Sequence, residues 1–238
     1  MPKLTAMMIV RDEADRYLTR CLAALTELVD EIVILDDASE DATPEICLSF
    51  SRVRLHRKQS SLFFHDEAAL RRELWDLVCA TAPEWILALD ADEFLEPRAV
   101  AELPYLLNQN YFQVIGFRLF DCWFNENYFR VDGLWNPWLR GFAPYLVKYQ
   151  SHLSPQWPSL KFHCGRFPLA YRRLPRLESD LRIKHLGWLS QEDLQKKYQR
   201  AVEHDPEGLY FSRAHYESIL YPREKVVLQA WLEQNSMW

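Results

Sequence analysis

The stretch WILALDADEF, residues 85–94, decides the fold. Five apolar, strand-forming residues are followed at once by the carboxylates of Asp90, Asp92 and Glu93. A buried carboxylate is costly unless it meets water, a partner or a cation, and Asp90 and Asp92 point to the same side of an extended chain. Paired carboxylates suit Mg²⁺ or Mn²⁺, which use few protein ligands and add substrate phosphates. The alternative interpretation is an acidic turn that caps the following helix.

Composition limits the classes of protein that need to be considered. The chain has 238 residues, is 49% hydrophobic and carries a formal net charge of −6. These values predict a sizeable core rather than disorder, and the negative charge argues against nucleic-acid binding. We expect one continuous domain with an α/β part, residues 1–120, and a second part, residues 121–238.

Cysteine usage and the N-terminus bear on the compartment. The five cysteines are odd in number and none has C-x-x-C spacing, which favours a reduced, cytoplasmic protein. The N-terminus lacks the layout of a signal peptide, and no apolar run approaches the roughly 20 residues of a membrane-spanning helix. Peripheral contact with the inner face of a membrane stays open as an alternative.

The first half of the chain alternates between two kinds of apolar periodicity. Strands are predicted at 4–10, 31–35, 53–56, 85–89 and 114–119, and helices at 17–28, 44–49, 67–80 and 100–107. Strands that alternate with helices indicate βαβ units, and hence a mostly parallel sheet flanked by helices. In such a sheet, ligands bind outside the carboxyl ends of the strands.

Charged residues follow three of these predicted strands. They are Arg11, Asp12 and Glu13 after the first strand, Asp36 and Asp37 after the second, and Asp90, Asp92 and Glu93 after the fourth. Three charged clusters on one edge predict a ligand site there. Because no G-x-G-x-x-G or G-x-x-x-x-G-K-[ST] loop is present, a phosphate group would have to be met by a metal ion and by arginines.

Three blocks of sequence occur in order and at ordinary spacing: MIVRDE at 8–13, DEIVILDDASEDAT at 30–43 and WILALDADE at 85–93. Together they resemble the family 2 glycosyltransferases over roughly residues 4–97. The resemblance implies a GT-A fold, which is Rossmann-like, and hexosyltransferase-type activity. It also implies a nucleotide-sugar donor and a divalent cation, Mg²⁺ or Mn²⁺.

The resemblance also implies roles for individual residues. They are Asp36 or Asp37 at the donor base, where an acid accepts the N3–H of uracil; Arg71 or Arg72 near the nucleotide; Asp90 and Asp92 as the metal-binding pair; and Glu93 as the final acid of the motif. Two positions depart from the family pattern. Arg11 replaces the usual lysine or tyrosine, and Ala38 replaces a turn glycine at a position that favours positive φ.

The second half of the chain is rich in aromatic residues. About one residue in four between 121 and 171 is aromatic and helical periodicity is weak, so we expect loops and short strands over the sheet edge. Most of these rings would form a small hydrophobic core, and a few a sugar-binding wall in the acceptor region. Two C-terminal helices are predicted, at 189–204 and 212–233.

A basic stretch in this half has two interpretations. It comprises Lys161, Arg166, Arg172, Arg173 and Arg176, with no acid between them. It is either a solvated face or a contact for phosphate, on the donor or on a lipid-linked acceptor, since arginine matches the geometry of phosphate oxygens.

The third metal ligand and the catalytic base remain to be assigned. The resemblance implies a C-terminal histidine ligand, for which His185 is the first candidate and His163 the second. Transfer with inversion needs a carboxylate that takes the proton of the acceptor hydroxyl. Asp121 is the first candidate because it ends the fifth predicted strand, and the others are Glu126, Asp132, Glu178 and Asp180. Transfer with retention would need no such base.

We therefore predict a metal-dependent glycosyltransferase. It would move a sugar from a nucleoside diphosphate sugar, expected to be a UDP-sugar, to a hydroxyl of a glycan or glycolipid. The alternatives are a haloacid dehalogenase-like phosphohydrolase, which also places Asp-x-Asp after a strand, and a non-catalytic nucleotide-sugar-binding protein. The two C-terminal helices would pack back on the sheet or form an interface, as in a homodimer.

Overall fold

A computed structural model describes residues 2–63, 65–158, 160 and 164–233. The strands are β1 (Leu4–Val10), β2 (Glu31–Asp36), β3 (Val53–Arg57), β4 (Trp85–Ala88), β5 (Glu93–Leu95), β6 (Val114–Trp123), β7 (Tyr128–Arg130), β8 (Ala143–Lys148), β9 (Arg176–Trp188) and β10 (Leu228–Ala230). The α-helices are α1 (Leu18–Thr26), α2 (Thr43–Leu48), α3 (Glu67–Cys79), α4 (Ala99–Leu107), α5 (Pro137–Arg140), α6 (Gln191–His204) and α7 (Arg213–Glu217).

The ten strands belong to one sheet, in which eight follow the order β10-β7-β6-β8-β4-β1-β2-β3 while β5 and β9 pair off this path. The four strands β3, β2, β1 and β4 run parallel to one another. β8 then runs antiparallel between β4 and β6, while β9 lies parallel to β6 and antiparallel to β5. The α/β class predicted from the alternating pattern is confirmed.

Both faces of β1, β2 and β4 are buried, as expected for mainly apolar strands inside a parallel sheet, whereas the edge strand β3 is partly exposed. In β2, Ile32 and Ile34 pack into the layer that contains α1, α2 and α4, whereas Val33 and Leu35 pack into the layer that contains α3. Full burial of one such side chain contributes about 1.5 to 3 kcal/mol. This two-sided burial fixes the register of the strands, and with it the edge at which their carboxyl ends meet.

The aromatic second half forms a core of its own. Trp123, Trp135, Leu194, Tyr216 and Ile219 are buried together, and the rings of Trp123 and Trp188 stack with centroids 5.1 Å apart. This cluster joins the end of β6 to α6 and α7, as the aromatic content predicts.

Two expectations about the second half were wrong. β8 does not lie over the sheet edge: its residues Tyr145, Leu146 and Val147 are fully buried and pair inside the sheet. The predicted helix at 212–233 is only α7, followed by two 3-10 turns and by β10. Pro222 explains this break, since proline lacks an N–H and its ring clashes with the preceding turn of a helix.

Within the described residues, no helix combines the length and the apolar character that a bilayer crossing requires. The cysteines, all of them described, are free thiols.

Candidate functional site

A cavity of about 1190 Å³ opens at the carboxyl ends of β1, β2 and β4. Its wall includes Arg11, Glu13, Asp37, Asp90 and Asp92, so the structure brings together three of the charged clusters that the sequence predicts on one edge. Single small-molecule sites occupy about 300 to 1,000 Å³. The volume is therefore sufficient for more than one substrate.

The two acids after β2 have different surroundings. Asp36 is fully buried, accepts hydrogen bonds from the backbone and hydroxyl of Ser39, and lies 3.1 Å from Arg57 Nε. It holds the turn in which Ala38 adopts a φ of 64°, the left-handed conformation expected at this position. Asp36 does not line the cavity, whereas Asp37 does.

Asp37 organises a loop at the cavity wall. Its carboxylate accepts hydrogen bonds from Ser61 Oγ at 2.5 Å, Leu62 N at 2.8 Å and Phe63 N at 3.1 Å. A carboxylate has about four acceptor positions. Among the described residues one position therefore remains without a donor, on a side chain that is itself fully buried.

Arg71 and Arg72, which the sequence could not separate, lie on different sides of α3. Arg71 lines the cavity, and its Nε donates to Glu67 Oε1 at 3.0 Å. Arg72 is exposed outside the cavity wall. Arg11 also lines the cavity and lies 3.5 Å from Asp12, with about two fifths of its side chain exposed.

Asp90 and Glu93 share a single arginine. Arg166 Nη2 donates to Asp90 Oδ2 at 2.6 Å and to Glu93 Oε1 at 2.7 Å. The hydroxyl of Tyr145 also donates to Glu93, at 3.1 Å, and Glu93 Oε2 accepts from the backbone of Asp90. Burial would raise the pKa of Asp90, but Arg166 and then Arg71 outweigh it and hold that pKa below its ordinary value. Glu93 is buried outside the cavity wall and fixes the turn that carries Asp90.

Asp92 is surrounded by positive charge. Its Oδ2 lies 3.3 Å from His185 Nε2, 3.5 Å from Lys197 Nζ and 3.7 Å from Arg16 Nη2. Burial would raise the pKa of Asp92, yet His185, Lys197 and Arg16 together hold it well below its ordinary value. Asp92 is therefore an anion at neutral pH.

His185 is held between two acids. Its Nδ1 is 2.6 Å from Asp121 Oδ1, and that oxygen also accepts from Trp188 Nε1 at 2.8 Å. Burial would lower the pKa of His185, but Asp92, and then the hydrogen bond to Asp121, raise it to about 9. Arg140 Nη2 lies 2.6 Å from the second oxygen of Asp121. Burial opposes ionisation, but Arg140 and His185 lower the pKa of Asp121 to about 2.

Gly187 leaves open the space between Asp92 and His185. A Cβ atom at this position would collide with Lys197 Nζ and Asp92 Oδ2, and would lie 2.8 Å from His185 Nε2. With a pKa of about 9, His185 is protonated at neutral pH, so a metal ion would have to displace that proton. The donor set would then suit Mg²⁺ or Mn²⁺, because a carboxylate oxygen and a neutral imidazole nitrogen are accepted ligands of such ions. Histidine ligands of metal ions commonly donate their other ring N–H to a carboxylate, which is the arrangement of His185 and Asp121. Among the described residues, no group of three or more His, Cys, Asp or Glu side chains is gathered to hold a metal ion.

The structure does not bring the candidate bases to the cavity wall. Asp121 is buried behind His185 and engaged at both oxygens. Glu126 pairs with Arg20, Asp132 with Arg130 and Asp180 with Arg98, and Glu178 is exposed; none of these acids lines the cavity.

Only part of the predicted basic stretch lies at the cavity. Arg166, Arg172 and Arg176 line the cavity, whereas Arg173 is exposed elsewhere. Lys161 and the alternative metal ligand His163 lie outside the described residues.

Several cavity residues were missed by the sequence analysis. On α6, whose N-terminus is capped by Ser190, the residues Lys197, Arg200 and His204 line the cavity. The only signal was their spacing of three or four residues on a helix that was expected to pack or to form an interface. Arg16 was likewise missed; it bridges Glu13 at 3.0 Å and Asp193 at 3.3 Å.

Comparison with known proteins assigns this chain to a family. The family model for glycosyl transferase family 2 matches residues 5–173. The chain therefore belongs to glycosyl transferase family 2, and the predicted class of enzyme is confirmed.

Solved structures support the fold. The structure of residues 1–349 of S. aureus TarS in complex with UDP-GlcNAc has a TM-score of 0.57 and 14% identity, covering 92% of this chain and 70% of that one. The complex of the same protein with UDP has a TM-score of 0.56 and 15% identity, covering 92% and 69%. At this identity the likeness concerns the fold alone, and it confirms the expected GT-A architecture.

A sequence relative covers a smaller region. A TPR repeat-containing protein of Synechococcus elongatus is 39% identical over 109 residues, which are 46% of this chain. The chain spans only a quarter of that relative's length.

Proposed function

We propose that this chain transfers a sugar from a UDP-sugar to a hydroxyl group of a glycan or glycolipid, with Mg²⁺ or Mn²⁺ as cofactor. The observation that carries the proposal is the convergence of Asp37, Arg71, Asp90, Asp92 and His185 on one cavity. These side chains supply an acceptor for a base, a cation for phosphate and ligands for a metal ion.

The nucleotide is assigned to the side of the cavity formed by Asp37 and Arg71. Asp37 has one acceptor position left after its three bonds to the loop at 61–63, and the N3–H of uracil is a donor of the required kind. The UDP and UDP-GlcNAc complexes of TarS, a protein of similar fold, support the choice of UDP over other nucleotides.

The metal ion is assigned to Asp92 and His185, with Asp90 beside them. Such an ion would neutralise charge on the diphosphate as it leaves. Mg²⁺ and Mn²⁺ need only one or two protein carboxylates when substrate phosphates complete their coordination. The small number of protein ligands at this position therefore fits a nucleotide-sugar enzyme.

The chain's own residues orient the reactants and hold charge. Arg71 and Arg11 would bind phosphate oxygens, and Arg166 keeps Asp90 ionised and fixed. We assign Asp121 to positioning His185 rather than to proton abstraction, because a carboxyl with a pKa of about 2 and no contact with the cavity is a poor base. The family match disfavours the phosphohydrolase alternative, and Asp90 is tied to an arginine rather than available as a nucleophile.

The test is a thermal-shift screen of UDP-glucose, UDP-GlcNAc and UDP-galactose, with and without Mn²⁺. Ligands that bind the native state raise its apparent stability, and saturation at about 100 times Kd adds about 2.7 kcal/mol. The donor that gives the largest shift is then incubated with the enzyme and an acceptor panel, and released UDP is measured. We expect a shift that depends on Mn²⁺, and release of UDP.

Two outcomes would reject parts of the proposal. Manganese-dependent binding of a UDP-sugar without UDP release, with water or any acceptor, would favour the non-catalytic binding protein. Release of phosphate from a phosphomonoester, with no response to UDP-sugars, would restore the phosphohydrolase.

A further inference from the structure

One face of α6 forms a cationic strip along the cavity. Lys197, Arg200 and His204 recur every three or four residues and all line the cavity wall. The strip begins at Asp92, where Lys197 lies 3.5 Å from Oδ2. At a rise of about 1.5 Å per residue, Arg200 is about 4.5 Å and His204 about 10.5 Å further along the helix axis. The strip therefore leads away from the metal-binding acids.

An aromatic wall lies in the same cavity beyond the metal-binding acids. Trp135 and His215 stack with ring centroids 4.5 Å apart, and Phe211 lies 5.0 Å from His215. All three side chains line the cavity, and α6 packs against the segment that carries His215. Rigid rings beside a few charged groups are typical of a site that fixes both the body and a polar substituent of its ligand.

The charge of the cavity differs from that of the chain. Nine lysine and arginine side chains but six aspartate and glutamate side chains line the described part of its wall, although the chain carries a net charge of −6. The diphosphate of the donor and a divalent cation cancel in formal charge. Donor and metal together thus leave the surplus of positive charge in place.

Arg200 is exposed at the cavity wall. Desolvation by neighbouring groups and then repulsion from Arg16 lower the pKa of Arg200, while Asp92 and Glu13 offset this only in part. A positive group in that position gains from an added anion, because charged partners in a cleft interact more strongly than in bulk water.

We propose that the cavity takes an acceptor bearing an oxyanion, a phosphate or carboxylate substituent, which binds Arg200 and His204 while the body of the acceptor packs on the exposed ring of Phe211. This proposal rests on the proposed function, since it names the substrate class of the same site. It predicts that charge, rather than the neutral sugar, decides acceptor affinity.

The experiment compares glucose, glucose 6-phosphate and glucuronate as probes. Their binding to the UDP-saturated protein is measured by calorimetry, and their effect on UDP release from the preferred UDP-sugar is measured separately. We expect the two anionic probes to bind at least about tenfold more tightly than glucose, and Arg200→Gln to remove that difference. Loss of one charge-assisted contact of about 1.5 to 3 kcal/mol corresponds to about 10- to 100-fold in affinity.

Lys196→Gln is the matched control. Lys196 lies on the same helix but outside the cavity wall, is exposed and pairs with Glu192. The control should bind UDP and the anionic probes, and hydrolyse the UDP-sugar in water, as the natural protein does. His204→Gln should give a smaller loss than Arg200→Gln, in the same direction.

The outcomes separate this proposal from the proposed function. Equal binding of glucose and both anionic probes would overturn it, even if UDP-sugar turnover is normal. Anionic probes that bind the UDP-free protein but not the UDP-saturated protein would also overturn it, since the anion would then occupy the donor's diphosphate site. Absence of UDP-sugar turnover together with charge-selective, Arg200-dependent binding would reject the proposed transfer but keep the anion site. A preference for only one of the two anions identifies the substituent.

Discussion

The two sides of the cavity differ in how they are built. On the donor side, Asp37, Asp90 and Asp92 directly follow strands of one parallel sheet, so backbone pairing alone brings them together. On the acceptor side, Arg200 and Trp135 come from elements that meet only through the packing of the aromatic core. The comparison teaches that a shared sheet edge can be predicted from local motifs, whereas a wall made by packing cannot.

Asp92→Asn tests the donor side with the largest expected effect. We expect transfer to fall about a thousandfold or more, because a metal ion supplies several kcal/mol of charge stabilisation and about 1.4 kcal/mol corresponds to a factor of ten. The fold should persist, since the substitution preserves shape. The measurement is the rate of UDP release across a Mn²⁺ titration, with circular dichroism for folding.

Asp15→Asn, at an exposed position in the same N-terminal segment, is the control and should behave like the natural protein. Near-normal turnover of Asp92→Asn at saturating Mn²⁺ would remove the metal assignment and, with it, the special role of the donor side.

Asp121→Asn tests whether Asp121 belongs to the metal site of the donor side or acts as a base toward the acceptor. Asp121 lies in β6, and its Oδ1 is 2.6 Å from His185 Nδ1. Loss of an acid that orients a metal-binding histidine costs about 10- to 100-fold in metal affinity. We therefore expect the Mn²⁺ concentration for half-maximal activity to rise by that factor, and kcat to recover at saturating Mn²⁺.

Glu126→Gln, which changes another acid near the end of β6 that pairs with Arg20 at the surface, should leave the metal dependence unchanged. A loss of kcat in Asp121→Asn that no concentration of Mn²⁺ restores would return Asp121 to the role of catalytic base.

The limits of sequence reasoning follow from the same contrast. The predicted strands and helices of the first half are confirmed because apolar runs and amphipathic periods are local properties. The choice of Arg71 over Arg72 depends on how α3 is rotated over the sheet, and no local pattern records that rotation. The helix predicted at 212–233 contains Pro222, a local signal against a continuous helix. The function of α6 had none, since its cationic face becomes part of a site only when the helix packs beside Asp92.

Asp37→Ala tests the base-binding end of the donor side, with a smaller expected effect. For the natural protein we expect UDP to raise Tm more than ADP or GDP does, because only uracil offers an N3–H to this carboxylate in the proposed pose. The variant should lose that preference. It should also lose about 1 to 3 kcal/mol of stability, because the N–H groups of Leu62 and Phe63 lose their acceptor.

ADP and GDP serve as internal controls for Asp37→Ala, since their shifts should be similar in the variant and the natural protein once the lower starting Tm is subtracted. Equal shifts for all three nucleotides in the natural protein would show that Asp37 only holds the loop.

Glu13→Gln has the smallest expected effect, which is on the pH dependence of the free energy of unfolding. It tests whether the excess of positive charge in the cavity extends to the end of β1. Glu13 Oε1 accepts from Arg16 at 3.0 Å, while Oε2 has no hydrogen-bond partner among the described residues. Burial raises the pKa of Glu13 to about 7, with Arg16 opposing it. A raised pKa means that the folded state binds the proton more tightly, so this contribution to stability is full below the ordinary glutamate pKa and is lost as pH rises through about 7.

The natural protein should therefore lose up to about 3 kcal/mol between pH 5 and pH 8 that Glu13→Gln does not lose. Urea unfolding at the two pH values measures the difference, with the exposed Glu40→Gln as control. Parallel pH profiles for Glu13→Gln and the natural protein would mean that Arg16 and its cationic neighbours keep Glu13 ionised, so that the surplus of positive charge reaches back to the end of β1.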